Sequence, residues 1–192
     1  MKFKKRVKLS NKFYARDSKV VAKELLGKIL VRVINDKILK SKIVETEAYY
    51  DEKDPASRAC LNGDLRETMK MGAGIILVYG VHNNWLINFV TGNLGEASAV
   101  LIRALEPLNF EGSTKGPGLL TKSLKIDKNF HKNNLLDSNS LWVENCKNKT
   151  NFEIAESFRV GVKKDLSIKL RFYIKGNKWV SKKCIKDKNQ KI

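Results

Sequence analysis

The stretch Lys42–Tyr50, KIVETEAYY, alternates with a period of two. Alternate residues of a β-strand share a face. Val44, Thr46 and Ala48 therefore form one side. Ile43, Glu45, Glu47 and Tyr49 form the other. The first side is expected to meet a core. The second, with two carboxylates and a phenol, is expected to face water or a groove. Such an acidic row is out of keeping with its chain, which carries 38 Lys+Arg against 20 Asp+Glu and a formal net charge of +18.

Outward from this strand, KILVRVI is a second β-type run. Asn35-Asp36 between them has turn chemistry, so an antiparallel pair is expected. Upstream, residues 10–27 read as a capped helix. Asp17 or Ser18 supplies the cap, Val20, Val21, Leu25 and Leu26 the apolar stripe, and Gly27 the end. Downstream, residues 51–74 are polar and punctuated by Asp54-Pro55, Asn62-Gly63, Gly72 and Gly74. A long functional loop, with a short helix at most, is expected there. GIILVYG, NNWLINFVT and SAVLIRALEPL read as strands, and KGPGLLTKSLKI as a turn and a helix. Residues 127–151 are rich in Asn and Lys, with a short strand at SLWVEN. IKLRFYIKGNKWVS reads as a strand, a Gly-Asn turn and another strand. Strands and helices do not alternate regularly, which favours an α+β fold with a largely antiparallel sheet.

A chain of 192 residues suits one domain with a real core. No apolar run approaches the ~18 residues that span a bilayer, so no membrane partner is expected. The start, MKFKKRVKLS, lacks the apolar stretch of a secretory signal, and a cytoplasmic location is expected. Cys60, Cys146 and Cys184 form no CxxC and lie at no ligand spacing from a histidine. Reduced thiols, no disulfide framework and no metal are expected. The positive charge concentrates at the ends. Residues 1–30 hold 10 basic and 2 acidic residues, and residues 163–192 hold 11 and 2. This asymmetry points to a polyanion, nucleic acid first. Residues 1–9 and 183–192 are expected as flexible basic ends of the single domain.

IVETEAY followed by DPAS resembles the signature of the alkyladenine (3-methyladenine) DNA glycosylase family. The resemblance continues in order through VLIRALEP (Val100–Pro107), GPGLLTKSL (Gly116–Leu124), RVGV (Arg159–Val162) and RFYIKGNKWVS (Arg171–Ser181). It covers nearly the whole chain. It implies a curved, barrel-like antiparallel sheet with surrounding helices and a DNA-binding face. It also implies a monofunctional enzyme, without cofactor, that acts as a monomer on damaged purines in double-stranded DNA. The named lesions are 3-methyladenine, 7-methylguanine, hypoxanthine and ethenoadenine.

By the same resemblance Glu47 matches the catalytic carboxylate that activates water. Arg103 and the main-chain carbonyl of Val160 match groups that hold that water. Tyr49 and Tyr79 match aromatics on either side of a flipped base, and Asn88 matches a residue that excludes guanine's amino group. His82 aligns with an intercalating wedge, with Val81 and Asn83 as neighbouring candidates. Lys122 and Lys125 are candidate phosphate contacts. Three features depart from the family, the first being the wedge segment, VYGVHNNWLIN, which is one residue shorter here. Arg58 stands where many members have a histidine that touches the base. Turned inward it would repel a cationic base, so it is expected to point toward phosphate. Glu67 stands where the family has an asparagine.

Other readings of the residues alone are a solvated strand face for Glu45 and Glu47, packing for Tyr79, and a surface position for His131. At the level of function the alternatives are a non-catalytic nucleic-acid-binding module and a glycosidase with Glu45 and Glu47 as a carboxylate pair. The latter is disfavoured because side chains two apart on a strand run parallel.

Overall fold

Asn35 and Asp36 both take positive φ, 46° and 61°, the geometry of a two-residue type I′ hairpin. They join β1 (Ile29–Ile34) to β2 (Lys37–Tyr49), with Ile34 opposite Lys37. The structure is a computed structural model that describes residues 7–147 and 151–181.

β2 is the spine of the sheet. Strands β3 (Ile76–Val81), β4 (Asn84–Val90) and β5 (Ala99–Pro107) follow as antiparallel neighbours. β5 runs along one edge of β2, from Ser41 opposite Pro107 to Tyr49 opposite Ala99. The other edge is divided. β1 takes its first half, and β8 (Arg171–Ile174) takes Glu45 to Glu47. β6 (Leu141–Glu144) flanks β1, and β7 (Ile154–Ser157) flanks β8. The antiparallel sheet curls into a half-barrel, and the fold is α+β, as the mixed pattern of elements predicts.

From Glu45 onward the two faces of β2 divide as its period dictates, while Ile43, expected on the face of the glutamates, joins the main core before the register shift. Val44 and Ala48 enter the main core with Leu30, Val100, Ile102 and Phe172. The Thr46 hydroxyl, on that side, donates to the Ala22 carbonyl at 2.8 Å. The expectation for the second face needs correction. Glu45 and Glu47 meet neither water nor an open groove, since both are 0% exposed. The register between β2 and β5 slips on either side of Glu45, where Arg103 has no partner of its own. Bulges of this kind bend a strand and re-aim side chains, and they recur beside active sites.

The helix expected over residues 10–27 is two helices, α1 (Asn11–Tyr14) and α2 (Ser18–Leu25). The Asp17 carboxylate accepts from the N–H groups of Lys19 and Val20 at 2.9 and 3.1 Å. That cap starts a new helix and so ends the idea of one continuous run. The buried stripe is Val21, Ala22, Leu25 and Leu26, while Val20 faces out. The polar loop carries a 3-10 turn at Arg58–Cys60 and helix α3 (Asp64–Met69). Helix α4 (Pro117–Ser123) lies against the start of β4, so close that a Cβ on Gly118 would sit 2.7 Å from the Asn84 Cβ.

Three further differences emerge. After Gly176-Asn177 the chain makes turns rather than a second strand. The short strand β7 went unpredicted. Of the basic ends, only residues 7–9 fall among those described. There Lys8 donates to the carbonyls of Leu136 and Ser138, and Leu9 is buried, so this part is anchored. No helix among the described residues is long and apolar enough to cross a membrane.

Candidate active site

The second face of β2 is covered by arginines. Arg103 comes from β5 and Arg171 from β8, the strands on either side of Glu45 and Glu47. Both are buried. An isolated buried charge is costly, so the carboxylates and guanidiniums must be paired and hydrogen-bonded. They are. Glu45 Oε1 accepts from Arg103 Nε at 3.2 Å, Arg171 Nε at 2.7 Å and Ser181 Oγ at 2.9 Å. Its Oε2 accepts from the Ser181 N–H at 2.7 Å. The turns after β8 exist to deliver that contact: Asn177 binds Glu106 and the Trp179 N–H, and Ser181 lands on Glu45. Glu45 is thus wholly committed to structure.

Glu47 is held differently. Oε1 accepts from the Val160 N–H at 2.8 Å. Oε2 accepts from the Tyr49 hydroxyl at 2.8 Å and from Arg103 Nη1 at 3.2 Å. The fold brings Glu47, Tyr49, Arg103 and Val160 together. The contact Val160 makes with Glu47 runs through its N–H. Burial pulls the Arg103 pKa down, but the Glu47 and Glu45 carboxylates outweigh it and the net shift is upward. Arg103 stays charged and bridges the two acids. The Tyr49 hydroxyl is pushed well above its usual range, first by burial and then by the Glu47 charge.

Tyr49 lies on the guanidinium of Arg159, whose central carbon is 4.5 Å from the ring centroid. Arg159 is itself fixed. It donates to both oxygens of Asp54 at 2.7 Å, to the Asp165 Oδ1 at 2.6 Å and to the Ala48 carbonyl at 3.0 Å. Asp54 belongs to the DPAS motif, so that motif builds the floor beneath Tyr49. Burial tends to raise the Asp54 pKa, and the Arg159 pair with the Tyr50 and Ala56 N–H groups lowers it overall.

Beyond Tyr49 a slot opens between Arg58, Met69, Leu77, Tyr79, Asn88 and Ala99. Asn88 is buried and its amide donates to the Leu77 carbonyl at 3.2 Å. Burial raises the Tyr79 pKa, opposed by the nearby Arg58 charge. The expectation for Arg58 is corrected here. Its guanidinium does not point out toward phosphate but lies over the Tyr79 ring, 4.7 Å from the centroid. The space left in the slot is about 10 Å³. A larger depression of about 650 Å³ lies elsewhere, around Arg16, Tyr50, Arg66 and Lys70. Volume alone would favour it, yet Tyr49, whose hydroxyl donates to Glu47 where the buried charges converge, lines the small slot.

His82 and Asn83 form the tip of the β3–β4 hairpin, another type I′ turn with φ of 46° and 60°. Both are exposed. Lys122 and Lys125 are exposed beside this tip. With Asn83, Asn84, Trp85 and Asp127 they line a groove of about 380 Å³. Glu67 is exposed on α3, near Lys70. His131 is not a plain surface residue. Its Nδ1 accepts from the Val78 N–H at 3.2 Å and its Nε2 meets Asp64 Oδ2 at 2.8 Å, tying α3 to β3.

Arg171, Arg159, Asp54, Asp165 and Ser181 went unassigned in the sequence reading, although four of them fall inside or beside its motifs. The available signal was electrostatic. Two acids that face inward must find cations, and RVGV and RFYIKG each open with an arginine.

Fold and centre together define a class: an α+β half-barrel that sets a buried carboxylate, held by an arginine and a main-chain amide, against a tyrosine that lines an aromatic slot. The chain belongs to the methylpurine-DNA glycosylase family, whose description, Methylpurine-DNA glycosylase (MPG), matches residues 12–178. It is 42% identical to a protein of Aeropyrum pernix over 91% of this chain and 93% of that one. It is 42% identical to a Legionella pneumophila protein over 91% and 98%. It is 37% identical to a Clostridium tetani protein over 92% and 100%. Each of the three bears the name "Putative 3-methyladenine DNA glycosylase".

Proposed function

We propose that this chain excises damaged purines, 3-methyladenine among them, from double-stranded DNA by hydrolysing the N-glycosidic bond. The observation that carries the reading is the setting of Glu47. It is a buried carboxyl group whose two oxygens are fixed by Val160, Tyr49 and Arg103, beside a slot lined by Tyr49 and Tyr79.

Chemistry on a base requires the nucleotide to leave the stack. His82, at an exposed hairpin tip, is placed to fill the gap, with Val81 and Asn83 beside it. The base enters the slot and stacks on Tyr49 and Tyr79. Asn88 crowds the amino group that guanine carries. A water attacks C1′ and passes its proton to Glu47. The C1′–N bond breaks, and its electrons leave with the base. The buried carboxylate also favours the positive charge that develops on the sugar. Arg103 and the Val160 backbone aim Glu47, and the Val160 carbonyl grips the water. Lys122 and Lys125 bind phosphates beside the tip. The chain acts as a monomer in the cytoplasm. Glu45, with every hydrogen bond spoken for, is not free to act as a second acid, which removes the paired-carboxylate glycosidase reading.

The test uses labelled duplexes with one hypoxanthine or one 3-methyladenine, treated with alkali after incubation. Wild type is expected to release at least one lesion. Glu47→Gln is expected to bind the same duplexes and cleave at least ~10²-fold more slowly, the scale of a lost general base. Release of neither lesion by wild type, with DNA binding intact, would establish a non-catalytic binding module.

A further inference from the structure

We propose that Arg58 is a gate, and that a purine enters the slot only by exchange for its guanidinium. The inference rests on the glycosylase reading and adds to it a residue that every base must displace to enter.

Two arginines flank the slot, and they differ in how they are held. Arg159 under Tyr49 is locked by Asp54, Asp165 and a carbonyl. Arg58 over Tyr79 has no salt bridge among the described residues. The ring is the partner that holds its head, at a distance well inside cation–π range. Its backbone, by contrast, is pinned. The Ser57 hydroxyl donates to the Tyr50 carbonyl at 2.6 Å and accepts from the Ala59 N–H at 3.1 Å, and Ala59 is buried. A fixed base with a weakly held, long side chain is the mechanical form of a gate.

The space beside that side chain is about 10 Å³, which is room for about one water. A purine is many times larger. With Arg58 where it stands, no base can lie on Tyr79. When the guanidinium leaves, it gives up its contact with the ring, and the incoming base must make up the difference. A planar cation does so in kind. An alkylated purine that carries positive charge replaces one cation–π contact with another. A neutral purine supplies stacking alone and is at a disadvantage. The slot is therefore occupied by the chain's own stand-in for a cationic base, and undamaged purines must compete with it.

The experiment compares wild type, Arg58→Ala and Arg58→Gln in single-turnover excision from three duplexes: 3-methyladenine, hypoxanthine and undamaged. Glutamine keeps a planar, hydrogen-bonding head without the charge. Both variants are expected to raise excision of hypoxanthine and of 3-methyladenine alike, by roughly 2- to 30-fold, the range of one cation–π contact. Excision from undamaged DNA should rise as well. A readout independent of turnover is the affinity of Glu47→Gln and Glu47→Gln/Arg58→Gln for hypoxanthine duplex over undamaged duplex, which the second change should increase. Thermal melts of the Arg58 variants establish that each is folded. Unchanged or lower excision of both lesions by the folded variants overturns the gate while leaving the glycosylase reading intact. Release of no lesion by folded wild type overturns both.

Discussion

Glu45 and Glu47 share one guanidinium: Arg103 places Nε on the first and Nη1 on the second, each at 3.2 Å. The two acids stand two residues apart on β2, yet their duties separate completely. Glu45 aims Arg103, and Arg103 aims Glu47. Replacing Glu45 with Gln removes a charge that two buried arginines face. Breaking a buried pair in this way costs about 3–5 kcal/mol. We expect Glu45→Gln to melt at a clearly lower temperature. In the fraction that remains folded, kcat should fall by about tenfold with KM little changed. A variant with wild-type stability would show that Glu45 is not the keystone described here.

Asp54 gives a pH signature. Its pKa lies below the ordinary 3.8 in the folded protein. The unfolded chain therefore binds a proton there first, and the stabilisation is complete above the ordinary value. It is lost as pH falls through the lower, folded value. Asp54→Asn should cost about 3 kcal/mol at neutral pH, the low end for a buried pair because Asp165 still faces Arg159. The difference between wild type and variant should shrink below about pH 4. Urea melts across pH 2–7 measure it. A constant difference at all pH values contradicts the assignment.

Lys122 and Lys125 should act through phosphate alone. Each phosphate contact contributes about 0.9 to the slope of log K against log salt on duplex DNA. The double change to Ala should lower that slope by about 1.8, equally on damaged and undamaged duplex. A titration between 50 and 200 mM salt reads it, taken here as about the range over which such contacts are lost. A loss confined to damaged DNA would place these lysines in lesion recognition instead.

Gly118 ties α4 to the hairpin tip. A Cβ there would meet Asn84 Cβ and Cγ at 2.7 and 2.8 Å. Neither helix nor strand can yield without moving the other. Gly118→Ala should cost about 1–3 kcal/mol through overpacking and displace the His82–Asn83 tip. Excision from duplex should fall more than excision from single-stranded DNA, where no gap needs filling. Equal losses on both substrates would show that the tip does not report on this contact.

Much of the fold was legible before the structure. The period of KIVETEAYY placed Val44 and Ala48 in the core, and Asn35-Asp36 made the expected turn. What misled was the inference from polarity to exposure. A glutamate facing away from the core normally faces water. Here the cations that bury Glu45 come from β5, β8 and the turns beyond, and no local pattern records that meeting. The same limit explains Arg58. Its direction depends on Tyr79, on the strand beyond the next helix, and an arginine in a polar loop reads as a surface charge. The second strand expected at KWVS failed for a related reason, because Ser181 is drawn to Glu45 and the chain turns to reach it.

The bonds that complete the centre span most of the chain: Glu47 to Val160 across 113 positions, Glu45 to Arg171 across 126, and Glu45 to Ser181 across 136. Contacts this distant in sequence close late in folding, since long loops must be ordered before they form. During synthesis the strand bearing both acids emerges early and waits for partners made more than a hundred residues afterwards. A ribosome stalled just before Ser181 would leave a fragment able to collapse around Val44 and Ala48, but with Glu45 short of two of its four donors. Assembly order thus acts as a safeguard, and an unfinished chain does not hold a finished blade.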